Sequence, residues 1–314
     1  MKLNVVIPMY NEEGNVDLLH KLLTKTLDDI NYELIFINDG SRDKTDQKLK
    51  VIYEKDPIHV RVINFSRNFG KDAAIHAGLA YANAEYTVII DGDCQQNPKY
   101  LLDMMNYLDN NPEYDQIAMV NKTRNKENII NKILKGMFYS FINKISDTKF
   151  VKGASDFRML RSYVVDSIRL LAENNRFSKG IFSWVGFNTY YMEYQVENRN
   201  SGTSSFNLIN QFKYAFNGII NFSIKPLRIA TVIGLIFALG AFIYLIITLI
   251  QTFITGIEVP GYASLISLIL LLGGIQLMAI GILGEYIAKT YLECKKRPIY
   301  VARNKLGFNK ENIL

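Results

Sequence analysis

An α/β domain built on a mostly parallel sheet, followed by two membrane-spanning helices, is the architecture this sequence predicts. Three observations carry it. Short runs rich in β-branched residues alternate with helical patterns, and such alternation gives a parallel sheet with helices on both faces. Acidic clusters recur where those strands end. Two uncharged runs, Ile229 to Ile257 and Val259 to Leu283, each exceed the roughly 20 apolar residues needed to cross a bilayer.

The elements follow in order. LNVVIPMY is a first strand; its apolar run is short and dies in the charged NEEG, which excludes a signal peptide. ELIFIND, HVRVINFS and TVIID read as further strands, bounded by turn residues. Helical patterns cover Asn15 to Leu27, Thr45 to Glu54 and Lys71 to Ala82, and Asn97-Pro98 makes an N-cap and N1 pair for another helix. Strands are also expected near Gln116 to Val120 and Thr189 to Val196. From Phe206 to Leu227 the chain is rich in Phe, Ile and Asn, with Lys213 and Lys225 as its only charges, the makeup of amphipathic helices lying in a membrane interface.

The link between the apolar runs, GIEVPGY, carries Glu258 and no Lys or Arg. Lys225 and Arg228 precede the first run, and Lys289, Lys295, Lys296 and Arg297 follow the second. By the positive-inside rule both termini are cytoplasmic and the Pro-Gly turn is outside. The alternative, a helical hairpin buried in a soluble core, is disfavoured by the uncharged length. The expected divisions are a catalytic domain over 1–204, interfacial helices over 205–228, a transmembrane hairpin over 229–288 and a cytoplasmic tail over 289–314.

The net charge of +6, from 36 Lys+Arg against 30 Asp+Glu, comes without a basic tract that would point to nucleic acid. Beside apolar spans, a basic excess fits contact with anionic lipid headgroups. The two cysteines, Cys94 and Cys294, match no zinc or redox spacing, so a reducing compartment is expected.

The chemistry sits at strand ends. In TVIIDGDCQQNP, Asp91 and Asp93 lie two apart after a buried strand, so in an extended chain both face one side. Two adjacent like charges repel unless a cation or donors sit between them. Gly92 allows a ligand or backbone to approach closely. The plain alternative is an acidic turn feeding a helix. The first strand ends in Pro8-Met9-Tyr10-Asn11-Glu12-Glu13 and the second in Asn38-Asp39-Gly40-Ser41. Each cluster alone reads equally as helix capping. Together, at matching strand ends, they converge on one crevice.

VVIPMYNEE, INDGSRDKT, SRNFGKDAAIHAGL and DGDCQQNP resemble, in order and spacing, family-2 glycosyltransferases of the GT-A fold. The likeness is closer to membrane-anchored polyisoprenyl-phosphate glycosyltransferases, which include dolichyl-phosphate-mannose synthases and bactoprenol glucosyltransferases. GASDFRML, RFSKGIFSWVGF, ENRNSGTSSF and FNGIINFSIKPLR extend it along nearly the whole chain. The chain departs from the family where Gln96 replaces a carboxylate, Lys179 stands for a second Arg and Ser205 for a Lys.

The resemblance implies a GT-A mixed sheet flanked by helices and a set of roles. Pro8, Tyr10, Glu12 and Asp39 would hold the nucleotide base and ribose, and Asp91 would complete that wall. Asp93 and Gln95 would ligate Mg²⁺ or Mn²⁺ on the donor diphosphate, oxygen ligands that a hard divalent cation prefers. Asp156 matches the family's catalytic base; read alone, it is an Asp paired with Arg158 or capping a turn. A phosphate monoester is largely dianionic above its second pKa of about 6, so Asp156 is expected to orient or stabilise more than to remove a proton.

Arg124, Lys132 and Lys135 precede or punctuate IINKILKGMFYSFINKI, which reads as a basic amphipathic helix or, alternatively, a core helix with solvated lysines. Arg176 and Arg199 are further candidates for phosphate, because a guanidinium donates two hydrogen bonds in a fixed fork. Trp184 reads as core or interface, and His76 as a packed or exposed histidine rather than a ligand. The expected activity is inverting transfer of a hexose from UDP-glucose to undecaprenyl phosphate at the cell (inner or plasma) membrane. The expected partners are the nucleotide sugar, the lipid, the membrane and a second copy of the chain in a homo-oligomer. N-acetylglucosamine, mannose or aminoarabinose donors are the nearest alternatives. A processive synthase would want a Gln-x-x-Arg-Trp motif that RFSKGIFSW lacks, and a non-catalytic scaffold would not keep Asp39, Asp91, Asp93 and Asp156.

Overall fold

The computed structural model describes residues 1–121, 151, 153–171, 173–174, 176–196, 223, 225–255 and 261–308. The strands are β1 (Leu3–Met9), β2 (Tyr32–Asn38), β3 (Val60–Phe65), β4 (Tyr86–Ile89), β5 (Gln116–Asn121), β6 (Ala154–Arg161), β7 (Thr189–Tyr194) and β8 (Ala302–Leu306). Between them lie α1 (Val16–Thr26), α2 (Thr45–Lys55), α3 (Lys71–Tyr81), α4 (Lys99–Asn110), α5 (Ser162–Arg169) and α6 (Ser178–Trp184), with α7 (Lys225–Thr255) and α8 (Tyr262–Cys294) ahead of β8. The described strands form a sheet of order β7-β5-β6-β4-β1-β2-β3-β8.

The pleat sorts the apolar residues onto two faces. Val5, Ile7, Leu34 and Phe36 pack with α1, α2 and α4. Their neighbours Val6, Ile35 and Ile37 point the other way, into a core with α3, α5 and α6. Both sets are fully buried, and each such side chain contributes about 1.5–3 kcal/mol. Strands buried on both faces lose the polar alternation of a half-exposed strand, which is why VVI and LIFI are continuous apolar runs.

β1 to β4 are mutually parallel where they pair, as the strand-helix alternation predicts. The rest makes the sheet mixed: β6 is antiparallel to both β4 and β5, and β8 is antiparallel to β3. β6 is hidden in the sequence by its charges. Arg158 is buried in the sheet, its guanidinium 3.8 Å from the Phe182 ring centroid, so it behaves as a core residue while reading as a surface one.

The sequence leaves everything after residue 288 as a tail, but residues 299–308 return to the domain. β8 covers the outer edge of β3. Tyr300 stacks on Phe65 at 4.8 Å, and Ser66 N–H donates to the Val301 carbonyl at 2.9 Å. A relay of side-chain amides runs through the sheet: Asn38 Nδ2 donates to Asn64 Oδ1 (2.9 Å), and Asn64 Nδ2 to Asn304 Oδ1 (2.7 Å).

α7 and α8 have 31 and 33 residues, about 46 to 50 Å at 1.5 Å per residue. Both contain windows long and apolar enough to cross a membrane, with mean hydropathy 2.1 and 1.6 and no buried residues. Leu235, Phe242, Leu277 and Ile280 are each more than 60% exposed, so these helices are not the core of a soluble fold. The expected interfacial helices, apart from Ser223 and Lys225 to Arg228, lie outside the described residues. So do Arg124, Lys132, Lys135 and Arg199.

Candidate active site

The carboxyl ends of β1, β2 and β4 open on one edge of the sheet. Strand order reverses between β1 and β4, and open α/β sheets take ligands at such a switch point. Pro8 to Glu12 stand on one side of that gap, and Asp91 and Asp93 on the other. β6 runs antiparallel to β4 with Ile89 opposite Arg158, which brings Asp156 to the same edge.

The loops after β1 and β2 are tied together by side chains. Asn11 N–H donates to Ser41 Oγ (3.0 Å), Glu12 N–H to Thr45 Oγ1 (2.9 Å) and Glu13 N–H to Asp43 Oδ2 (3.1 Å). In return, Arg42 N–H donates to Asn11 Oδ1 and Lys44 N–H to Glu13 Oε2, both at 2.8 Å. Glu13 and Asp43 thus build the loops. Glu12 also accepts from Asn15 Nδ2 at 2.6 Å, Pro8 is buried, and Tyr10 is exposed at the rim. Gly40, at φ +64, lies so close to Arg67 that a Cβ would come within 2.3 Å of its backbone carbon.

Asp39 is buried at 3% exposure. Its Oδ1 accepts Phe69 N–H at 2.6 Å and its Oδ2 accepts Gly70 N–H at 2.9 Å, so it pins the segment leading into α3. Burial pushes its carboxyl up, against those N–H groups and the Arg67 charge.

From Asp91 to Pro98 exposure alternates: Asp91, Asp93, Gln95 and Asn97 are half-buried, while Gly92, Cys94, Gln96 and Pro98 are buried. Asp91, Asp93 and Gln95 therefore keep part of their side chains at the surface, and Asp93 Oδ1 accepts the Gln95 N–H at 3.2 Å. Gly92 admits the end of β1 rather than a ligand, since a Cβ there would meet Met9 Cε at 3.0 Å and Pro8 O at 3.1 Å. Gln96 holds Asp91 twice. Its Nε2 donates to Asp91 Oδ2, and Asp91 N–H donates to its Oε1, both at 2.9 Å.

Lys71, to which the sequence reading gave no role, lies at the centre. Its Nζ is 2.6 Å from Asp91 Oδ1 and 3.0 Å from Asp156 Oδ2. Burial opposes its charge, yet the two carboxylates outweigh it and push the lysine above its ordinary value. Burial would also raise Asp156, but Lys71, Lys179 and Arg158 hold its carboxyl well below the usual carboxylate range. Asp156 Oδ1 is buried, with no hydrogen-bond partner among the described residues. The signal for Lys71 was a cation in the first turn of a helix, where the macrodipole disfavours it. Such a local mismatch marks a functional or compensated position.

Arg176 is turned elsewhere: it donates to the Leu171 carbonyl and faces Glu173 and Asp72. His76 is packed, its pKa lowered to about 4 by burial and by Arg176. Trp184 is 56% exposed at the end of α6, which excludes the core reading. Both cysteines are free.

For a divalent cation, Asp93 and Gln95 offer a carboxylate and an amide carbonyl, each partly at the surface. Among the described residues no group of three His, Cys, Asp or Glu forms a closed cage. This partial oxygen shell fits a hard cation that also takes substrate phosphate oxygens.

Residues 4–169 match the family model described as glycosyl transferase family 2, and residues 225–290 match one described as the GtrB C-terminal hairpin. The prophage bactoprenol glucosyl transferase homolog of Escherichia coli is 38% identical over 96% of this chain and 99% of its own length. The putative glycosyltransferase CsbB of Bacillus subtilis is 40% identical over 98% of this chain and 93% of its own. Among solved structures, S. aureus TarS 1–349 with UDP-GlcNAc is 17% identical at a TM-score of 0.47, covering 70% of this chain and 66% of that one.

Proposed function

The chain belongs to glycosyl transferase family 2, and from that premise we propose that it transfers glucose, with inversion, from UDP-glucose to a polyisoprenyl phosphate such as undecaprenyl phosphate. The observation that carries the reading is the meeting of Asp91 and Asp156 on Lys71 at the switch point of the sheet, in a chain that continues into an exposed apolar hairpin. Relatives named bactoprenol glucosyl transferases, similar over the full length, supply the sugar and lipid class.

In this reading Pro8, Tyr10, Glu12 and Asp91 frame the nucleotide, with Asp39 supporting that wall through the loop it pins. Asp93 and Gln95 hold Mg²⁺ or Mn²⁺, which when bound offsets negative charge on the diphosphate. The acceptor's dianionic phosphate needs little deprotonation. One of its oxygens bonds to the anomeric carbon as the bond from that carbon to the diphosphate oxygen breaks, and the electron pair leaves with UDP. Asp156, an ionised carboxylate beside the reacting carbon, stabilises positive charge developing on the sugar. Arg124, Lys132, Lys135 and Arg199 remain proposed contacts for the acceptor phosphate or diphosphate, whereas Arg176 is committed to the Leu171 carbonyl. Membrane association through α7 and α8, with both termini cytoplasmic, puts this crevice on the side where nucleotide sugars are made.

The test incubates purified full-length protein with undecaprenyl phosphate, Mg²⁺ or Mn²⁺ and each of several nucleotide sugars, and weighs the lipid products. UDP-glucose should give a hexosyl phospholipid; a product only from another donor would replace the sugar, and none from any donor would refute the reaction. Asp93→Asn should lower turnover by about a hundredfold or more, because it removes the charge that holds the cation while keeping the size. Full wild-type activity in excess EDTA would remove the metal from the scheme.

A further inference from the structure

We infer that Lys71 is a positioning residue, one ammonium that ties the donor-side carboxylate Asp91 to Asp156 and fixes the orientation of the Asp156 carboxylate at the edge of the crevice. The inference rests on the proposed reaction for what enters that crevice. Its geometric basis is a chain of contacts across separate elements. Gln96 holds Asp91 Oδ2, Lys71 holds Asp91 Oδ1 at 2.6 Å, and the same Nζ holds Asp156 Oδ2 at 3.0 Å.

Each link is itself fixed. Asp39 pins Phe69 and Gly70 by their N–H groups, which sets where α3 begins and hence where Lys71 projects. Asp156 starts β6, whose register against β4 is set by the Ile89–Arg158 pair. An ammonium has three donors on a compact centre and can serve two carboxylates at once. With Oδ2 engaged, Asp156 loses the rotation that would let either oxygen face the crevice. A buried carboxylate oxygen with no partner carries a desolvation cost, which is recovered only when something donates to it or places positive charge against it. Lys71, Lys179 and Arg158 already offset part of that cost by their charge, and a sugar hydroxyl donating to the carboxylate would offset more.

Electrostatics gives the arrangement a second consequence. Without Lys71, Asp91 and Asp156 would leave the crevice strongly negative, opposing an anionic nucleotide. Lys71 thus makes a double-carboxylate site compatible with a diphosphate ligand while keeping Asp156 ionised.

A double-variant cycle on the full-length protein tests this, using Lys71→Met, Lys71→Arg, Asp156→Asn and the Lys71→Met/Asp156→Asn pair. The readouts are UDP affinity by calorimetry with saturating Mg²⁺, and turnover. Lys71→Met should weaken UDP binding by about tenfold, the effect of one uncompensated charge at close range, and adding Asp156→Asn should restore most of it. Turnover of Lys71→Met should fall about a hundredfold, as for a misplaced catalytic group, and the double variant should be no slower than Asp156→Asn alone. Lys71→Arg should recover UDP affinity and part of the turnover. Unchanged UDP binding in Lys71→Met, losses that multiply in the double variant, or Lys71→Arg as impaired as Lys71→Met would each overturn the inference. If Lys71→Met does not fold, Lys71→Arg combined with Asp156→Asn decides it by the same non-additivity. If the wild type binds GDP and not UDP, the donor assignment falls and the cycle runs with GDP; if it binds neither, both readings fall.

Discussion

Asp156 is the residue on which a protein-base mechanism and an electrostatic one divide. A carboxylate held well below its usual range by Lys71, Lys179 and Arg158 is a weak base, whatever its position. The sign matters for pH. A group with a depressed folded-state pKa is ionised through the neutral range, and its contribution is lost only as pH falls below the ordinary carboxylate value near about 4. Between mildly acidic and mildly basic pH the changing group is therefore the acceptor phosphate, with a second pKa of about 6. Asp156→Asn should lose rate at every pH but regain part of it as pH rises through that value, in parallel with the wild type. A flat, near-zero profile in protein that still binds UDP would restore Asp156 as the base. Asp91 and Asp93 were legible in the sequence as carboxylates recurring at strand ends, whereas Asp156 stood out only through the motif order that the chain shares with the family. Lys71 was not legible, because its partners lie 20 and 85 positions away and only the register of β4 and β6 joins them.

At the scale of elements, the strands read correctly were those whose burial matches their residues. β1, β2, β3 and β4 are largely apolar runs rich in β-branched residues and closed by turn residues, and α1, α2 and α3 begin and end within a residue of the expected limits. β6 and β8 were illegible for a common reason: each lacks a run of β-branched residues and is defined by pairing with a distant strand rather than by its own pattern. β8 matters beyond its length. It closes the β3 edge, which would otherwise present unpaired backbone groups. The amide relay from Asn38 through Asn64 to Asn304 supplies the buried polar partner. Asn304→Ala removes the acceptor of Asn64 Nδ2 and should cost about 1–3 kcal/mol, a fall of a few degrees in Tm. The check is a thermal melt of full-length protein in detergent. An unchanged Tm would mean that water replaces Asn304 without loss and that the strand is held by Tyr300 and its backbone bonds alone.

For the whole molecule, the return of β8 to the sheet constrains topology more tightly than charge counting does. The chain leaves the domain before α7, runs through two helices of membrane-crossing length and comes back as a strand of the same sheet. If α7 and α8 both cross the bilayer, as proposed, the pairing of residues 302–306 with β3 requires the two ends of the hairpin to lie on the side of the domain. In the proposed topology that side is cytoplasmic, as the positive-inside rule expects from Lys289, Lys295, Lys296 and Arg297 at the end of α8. Cys294 is a built-in reporter. It closes α8, it is exposed, and the other cysteine, Cys94, is buried in the domain. A membrane-impermeant maleimide added to intact cells should leave the wild-type protein unlabelled, and permeabilised cells should label it at Cys294. A Gly261→Cys variant in a Cys294→Ser background should show the opposite order, labelling in intact cells, because Gly261 precedes α8 at the far end of the hairpin. Labelling of Cys294 in intact cells would put the crevice on the outer side, away from cytosolic nucleotide sugars, and would overturn the proposed direction of the reaction along with the topology.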